Sequence, residues 1–170
     1  MANTYSLIAS STVGAGGAAS IDFSSIPSTY TDLVLKISCR TNSTLAYVDG
    51  KITFNGSGSS YSWRSLYGTG SATGSGNGAN QASGWGVEPG TYTANTFGNA
   101  EIYIPNAFGS SYKSWSADSV NENNATAGWQ FFHAGLWSNT SAITSITIGD
   151  ANSNNFVQYS TAYLYGVKSS

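Results

Sequence analysis

Charge is the scarcest property of this chain: Lys and Arg number six, Asp and Glu eight, and together they make up 8% of the residues, where globular proteins carry about 25%. The basic residues stand singly and the formal net charge is −2, so there is no basic stripe to follow a nucleic-acid backbone. Nucleic acid is therefore not expected as a partner. Weak self-repulsion suits a surface that rests against other proteins, which favours an assembled state. Cysteine is nearly absent too. With Cys39 alone no intramolecular disulfide and no thiolate metal site can form. Its phase with Leu33, Leu35 and Ile37 makes it a small buried apolar residue rather than a reactive thiol. No run approaches the ~18 apolar residues of a membrane span, so no membrane partner is expected. Residues 1–20 lack the basic start and apolar core of an export signal, and none is expected.

Side chains that carry chemistry are equally few. His133 is the single histidine, and its neighbours Phe131, Phe132, Ala134 and Gly135 assign it to a half-buried strand position with its nitrogens on backbone carbonyls. No Gly-x-Ser-x-Gly turn accompanies it. Asp118 and Glu122 are the one near pair of carboxylates, and surface or turn roles explain them more simply than glycoside hydrolysis, which needs two carboxyls ~5–10 Å apart. Asp150-x-Asn152-x-Asn154 opens like a calcium loop. The match then fails, because Asn155 holds the glycine place and Thr161 the position that requires glutamate. The glycines between 68 and 86 are followed by neither the Lys nor the helix of a phosphate-binding loop. No catalytic residue, cofactor or metal ligand is assigned, and the chain reads as a non-enzyme.

What fills the chain instead is Gly (20), Tyr (11) and much Ser, Thr and Asn, a mixture of strand and turn formers with few good helix formers. A length of 170 residues suits one domain burying roughly 70% of the surface its unfolded chain exposes. Alternation of period two marks the strands. The clearest are 32–40, with Leu33, Leu35, Ile37 and Cys39 inward and Val34, Lys36, Ser38 and Arg40 outward, and the aromatic stretch 129–137. Shorter ones fall at 4–10, 19–23, 48–54, 62–67, 96–104 and 113–119. Asn55-Gly56 is a strong tight-turn dipeptide that sends 62–67 back as the partner of 48–54. The stretches 142–149 and 156–166 read as a carboxyl-terminal hairpin around the turn formers Asp150 to Asn155. From Gly68 to Gly86 the composition turns to Gly, Ser, Thr, Ala and Asn and reads as a long exposed loop. The fold expected is all-β, a single-domain sandwich of about eight to ten strands, jelly-roll-like and without substantial helix.

Aromatic residues flank that loop: Trp63, Tyr67, Trp85 and Tyr92. Flat rings beside Asn and Gln would serve as a glycan platform or a protein contact. The competing reading places them in the core, since a sandwich of this size must bury most of its rings.

Several runs resemble a known group. They are Leu7-Ile-Ala-Ser-Ser-Thr-Val-Gly, the stretch from Ile21 to Leu35, Glu122-Asn-Asn leading to Gln130-Phe-Phe and Ala134-Gly-Leu-Trp137, and the closing Tyr163-Leu-Tyr-Gly166. In these the chain is similar to small β-rich virion proteins of tailed bacteriophages, cyanophages among them. The resemblance implies a structural protein of the particle. As a capsid decoration or cement protein it would sit as a homotrimer on the outer shell and join neighbours of the major capsid protein. As a fibre module it would bind a receptor or carbohydrate. It transfers no catalytic residue.

Overall fold

The computed structural model describes residues 5–80, 82–124 and 128–168. Strands account for its regular structure, and no helix occurs among the described residues. In chain order they are β1 (Tyr5–Thr12), β2 (Ser20–Phe23), β3 (Asp32–Cys39), β4 (Val48–Phe54), β5 (Tyr61–Gly68), β6 (Thr73–Ala79), β7 (Trp85–Val87), β8 (Gly98–Ile104), β9 (Lys113–Glu122), β10 (Gly128–Trp137), β11 (Ile146–Asp150) and β12 (Thr161–Val167). They form an eight-stranded sheet, β1-β12-β3-β8-β9-β10-β5-β6, and a four-stranded sheet, β2-β11-β4-β7. Every ladder is antiparallel. The protein is an all-β sandwich, as its composition requires.

The chain path is nested. It alternates between the large and small sheets through β1, β2, β3 and β4, and returns so that β11 slots between β2 and β4 while β12 slots between β1 and β3. The hairpins β5–β6 and β9–β10 lengthen only the large sheet, which therefore overhangs its partner.

Between the sheets lies one apolar cluster, with Leu33, Leu35 and Ile37 from β3, Ile102 and Ile104 from β8, Ile52 and Phe54 from β4, and Ile146 and Ile148 from β11. Aromatic rings close its wide end: Trp115 meets Phe54 edge-on at 5.5 Å, and Tyr61 stacks on Trp137 at 6.2 Å. The Tyr61 hydroxyl also accepts the Phe54 N–H at 2.8 Å. Cys39 is buried, and desolvation pushes its thiol up to about 12, which leaves it unreactive at neutral pH.

Several expectations need correction. The stretches 142–149 and 156–166 are not a hairpin: β11 belongs to the small sheet and β12 to the large one. Between them Phe156, fully buried, bridges to Ala18 and Thr41 at the end of the sandwich, and Tyr159 turns the chain with a φ of 73°. Likewise β5 does not return along β4. Asn55 and Gly56 do make the tight turn, with φ values of 53° and 68°, but it delivers the chain to the opposite sheet, where β5 pairs with β10 and β6. Short polar turns fix a reversal without fixing which sheet receives the next strand. Nor is 68–86 an exposed loop. It contains β6 and the start of β7, and Ala82 to Gly86 are buried; these two strands bring the total to twelve.

Two positions on β3 and just after it also depart from the outward set. Val34 is 1% exposed, covered on the outer face by its ladder neighbours Tyr103 and Tyr165. Arg40 is buried, and its guanidinium donates to the carbonyls of Gly90, Tyr92, Thr93 and Thr96. That single side chain ties down the segment following β7.

Candidate functional site

The four rings singled out from the sequence separate into two environments. Trp85 is 0% exposed: it lies on its ladder partner Gly50, where an added Cβ would sit 2.2 Å from the indole. Tyr92 is buried at 7% in the segment held by Arg40. Neither ring can serve as a contact for a glycan or a partner, because each is covered by its own chain. Trp63 and Tyr67 are half-buried on β5, spread over Gly78 and Gly74 of β6, where a Cβ would come within 2.5 Å of Trp63 and 2.4 Å of Tyr67.

Around Trp63 and Tyr67 the overhang of the large sheet carries a continuous set of rings. Tyr67 lies 5.2 Å from Trp129, which stacks on Phe131 at 5.6 Å with planes 8° apart. Tyr47, in the approach to β4, also stacks on Trp129, at 5.4 Å. His133 sits between Phe131 and Trp63 at 5.6 and 5.9 Å. It is buried rather than half-buried, and its Nδ1 has no hydrogen-bond partner. Desolvation holds the imidazole neutral, lowering it to about 4. The expectation of nitrogens bound to carbonyls thus fails for Nδ1, because the flanking groups on this face are rings.

Beside these rings a groove of about 500 Å³ opens on the outside of β4, lined by Tyr47, Asp49, Lys51, Trp63, Asn80 and Asn152 among others. Burial raises the Asp49 carboxyl above its ordinary range and nearby Asp150 adds to this, while a 3.4 Å hydrogen bond from the Tyr47 hydroxyl offsets part of it. The sequence pointed to Trp63 here but missed Tyr47 and Asp49, which precede and begin an ordinary strand pattern and meet Trp63 only through the crossing between sheets.

The outer face of the large sheet is different in kind. At one end Tyr5, Leu7, Tyr103 and Tyr163 are 52%, 55%, 39% and 39% exposed, and Tyr5 meets Tyr165 edge-on at 6.5 Å. One exposed ion pair, Lys36 with Glu101, lies within this field. At the other end Leu66 and Phe132 are cross-strand partners, 63% and 54% exposed. Monomeric proteins seldom leave so many large apolar side chains on one face without a use for them.

The remaining polar candidates are accounted for locally. Asp118 and Glu122 lie on one face of β9 four residues apart, about 13 Å between their Cα atoms along a strand, and the Glu122 carboxylate accepts the Asn124 N–H at 2.9 Å in the turn after β9. Asp150 accepts the Asn152 N–H at 2.5 Å and the Asn154 amide at 3.1 Å, a turn in which the carboxylate serves its own backbone. Among the described residues no three of His, Cys, Asp and Glu are grouped as metal ligands. No protein-family model matches the chain, and searches of curated proteins and of solved structures returned no match.

Proposed function

We propose that this chain is a non-enzymatic structural protein of a bacteriophage virion, a capsid decoration or cement protein that binds the outer shell and joins neighbouring subunits of the major capsid protein. The observation that carries the reading is the outer face of the large sheet. Tyr5, Leu7, Tyr103 and Tyr163 form an aromatic and apolar field around the Lys36–Glu101 ion pair on rigid strands, and aromatic side chains are enriched at interface cores. The nested path of β1-β12-β3-β8 against β2-β11-β4-β7 is read here as a jelly roll with two added hairpins, an architecture used by capsid and lectin domains alike. Modest contacts made by many copies on a repeating lattice add up through avidity. Binding of the purified chain to capsids lacking it tests this: Leu7→Glu with Tyr163→Glu abolishes binding, and undiminished binding refutes the role of that face.

The second reading is a carbohydrate-binding module of a fibre, favoured by the groove in which Trp63 and Tyr47 stand beside the Asp49 carboxyl and the Asn80 and Asn152 amides. Rings plus acceptors and amides are the chemistry that holds a pyranose. Specific retention on a glycan array, lost in Asp49→Ala, supports this reading over the first.

A further inference from the structure

We propose that the free edge of β6 is where two copies of this chain join about a two-fold axis, making one continuous sheet across both molecules. β6 ends the large sheet, with β5 as its single neighbour. The Asn80 N–H donates to the Tyr61 carbonyl at 2.6 Å and the Thr69 N–H to the Ala72 carbonyl at 2.9 Å. Hydrogen-bonded pairs alternate along an antiparallel ladder, so Gly74, Gly76 and Gly78 spend their backbone groups on β5. Thr73, Ser75, Asn77 and Ala79 therefore point theirs away from the molecule.

That outward edge is complementary to itself. Antiparallel pairing centred on Gly76 sets Thr73 against Ala79 and Ser75 against Asn77, with about eight backbone hydrogen bonds by the two-per-pair pattern. On the inner face glycine opposes glycine, beneath the Trp63 and Tyr67 rings that lie across β6. On the outer face two small polar side chains oppose each other, and Thr73–Ala79 contains no charged residue, so no like charges approach. Leu66 and Phe132, exposed on the neighbouring strands, would flank the seam.

The other edges explain why a second copy is the occupant. Exposed edges are normally blunted by bulges, shortness, Pro or Lys. β1 has a register irregularity between Leu7 and Ala9, β2 has four residues and β7 three. β6 has seven residues and none of these protections. One open edge per molecule, meeting its own kind about a two-fold axis, closes the assembly instead of propagating a fibre. The contact is two-fold, not the three-fold one that the phage resemblance implies.

Sedimentation equilibrium of the full chain at micromolar concentration tests this, with a mass twice 17.7 kDa expected. Ser75→Lys with Asn77→Lys sets lysine opposite lysine and gives a monomer, as does Ser75→Glu with Asn77→Glu. Mixing the two variants restores the doubled mass. Ser75→Pro, which removes an outward N–H and leaves the β5 ladder its bonds, also gives a monomer. A monomeric or trimeric mass for the unaltered chain, or a doubled mass for the lysine variant alone, overturns the proposal.

Discussion

The guanidinium of Arg40 donates to the carbonyl of Tyr92 at 2.7 Å, and the same side chain serves Gly90, Thr93 and Thr96. A buried cation thus organises the segment after β7 where no strand does. Glu88, fully buried beside it, accepts the Thr96 hydroxyl at 2.6 Å. Burial raises its carboxyl, and the Thr96 hydrogen bond and the Arg40 charge pull it back down.

Replacing Arg40 by Met should therefore cost about 3 kcal/mol or more, because it leaves several buried carbonyls unpaired. Arg40→Lys keeps the charge but not the planar fork, and should recover only part of the loss. Urea unfolding of the three proteins checks the order.

Trp85→Ala is expected to be a folding mutation and not a binding one. Removing a ring that is 0% exposed costs about 3–5 kcal/mol in a packed core. Trp63, half-buried over glycine, should cost less. Comparing the unfolding midpoints of the two alanine variants tests the difference.

His133 gives the fold a sensitivity to acid. Its folded value near 4 lies below the ordinary 6.5, so its contribution is fully present above pH 6.5 and fades as pH falls from 6.5 towards 4, while the unfolded state takes up the proton first. The loss amounts to about 3 kcal/mol at the lower limit. Asp49 and Glu88, both raised, act in the opposite sense below neutrality. The difference between wild type and His133→Leu isolates the histidine: the variant should lose less stability between pH 7 and 4.5, and parallel pH profiles would contradict the assignment.

Much of the fold was legible in the residues themselves. The alternation in 32–40 placed Leu33, Leu35, Ile37 and Cys39 inside, because one buried face enforces a period of two. β6 was illegible because Gly74, Gly76 and Gly78 carry no side chains to show a period. The strand is specified by Trp63 and Tyr67 lying across those glycines, a relation that exists only in the folded chain. The same limit hid the candidate groove. Tyr47, Asp49 and Trp63 are brought together by a crossing between sheets that Asn55-Gly56 permits but does not announce. For Trp85 and Tyr92 the core reading of the flanking rings holds, and Gly50 makes room for the Trp85 ring inside.

On the outer face, Leu7→Glu and Tyr163→Glu replace side chains already 55% and 39% exposed. Surface changes of this kind typically move stability by about 0.5 kcal/mol or less, so the thermal midpoint should hold while attachment to a partner surface is lost. A matched fall in both would assign these residues to folding.

Electron cryomicroscopy of a phage particle that carries this chain is the decisive test of the proposed capsid role. A decoration role places density for this sandwich in on the order of hundreds of copies over the shell, the regime in which modest contacts hold by avidity, with Tyr5, Leu7 and Tyr163 turned against capsid subunits. A handful of copies at the tail, or a shell-bound sandwich whose tyrosine face is open to solvent, would contradict it.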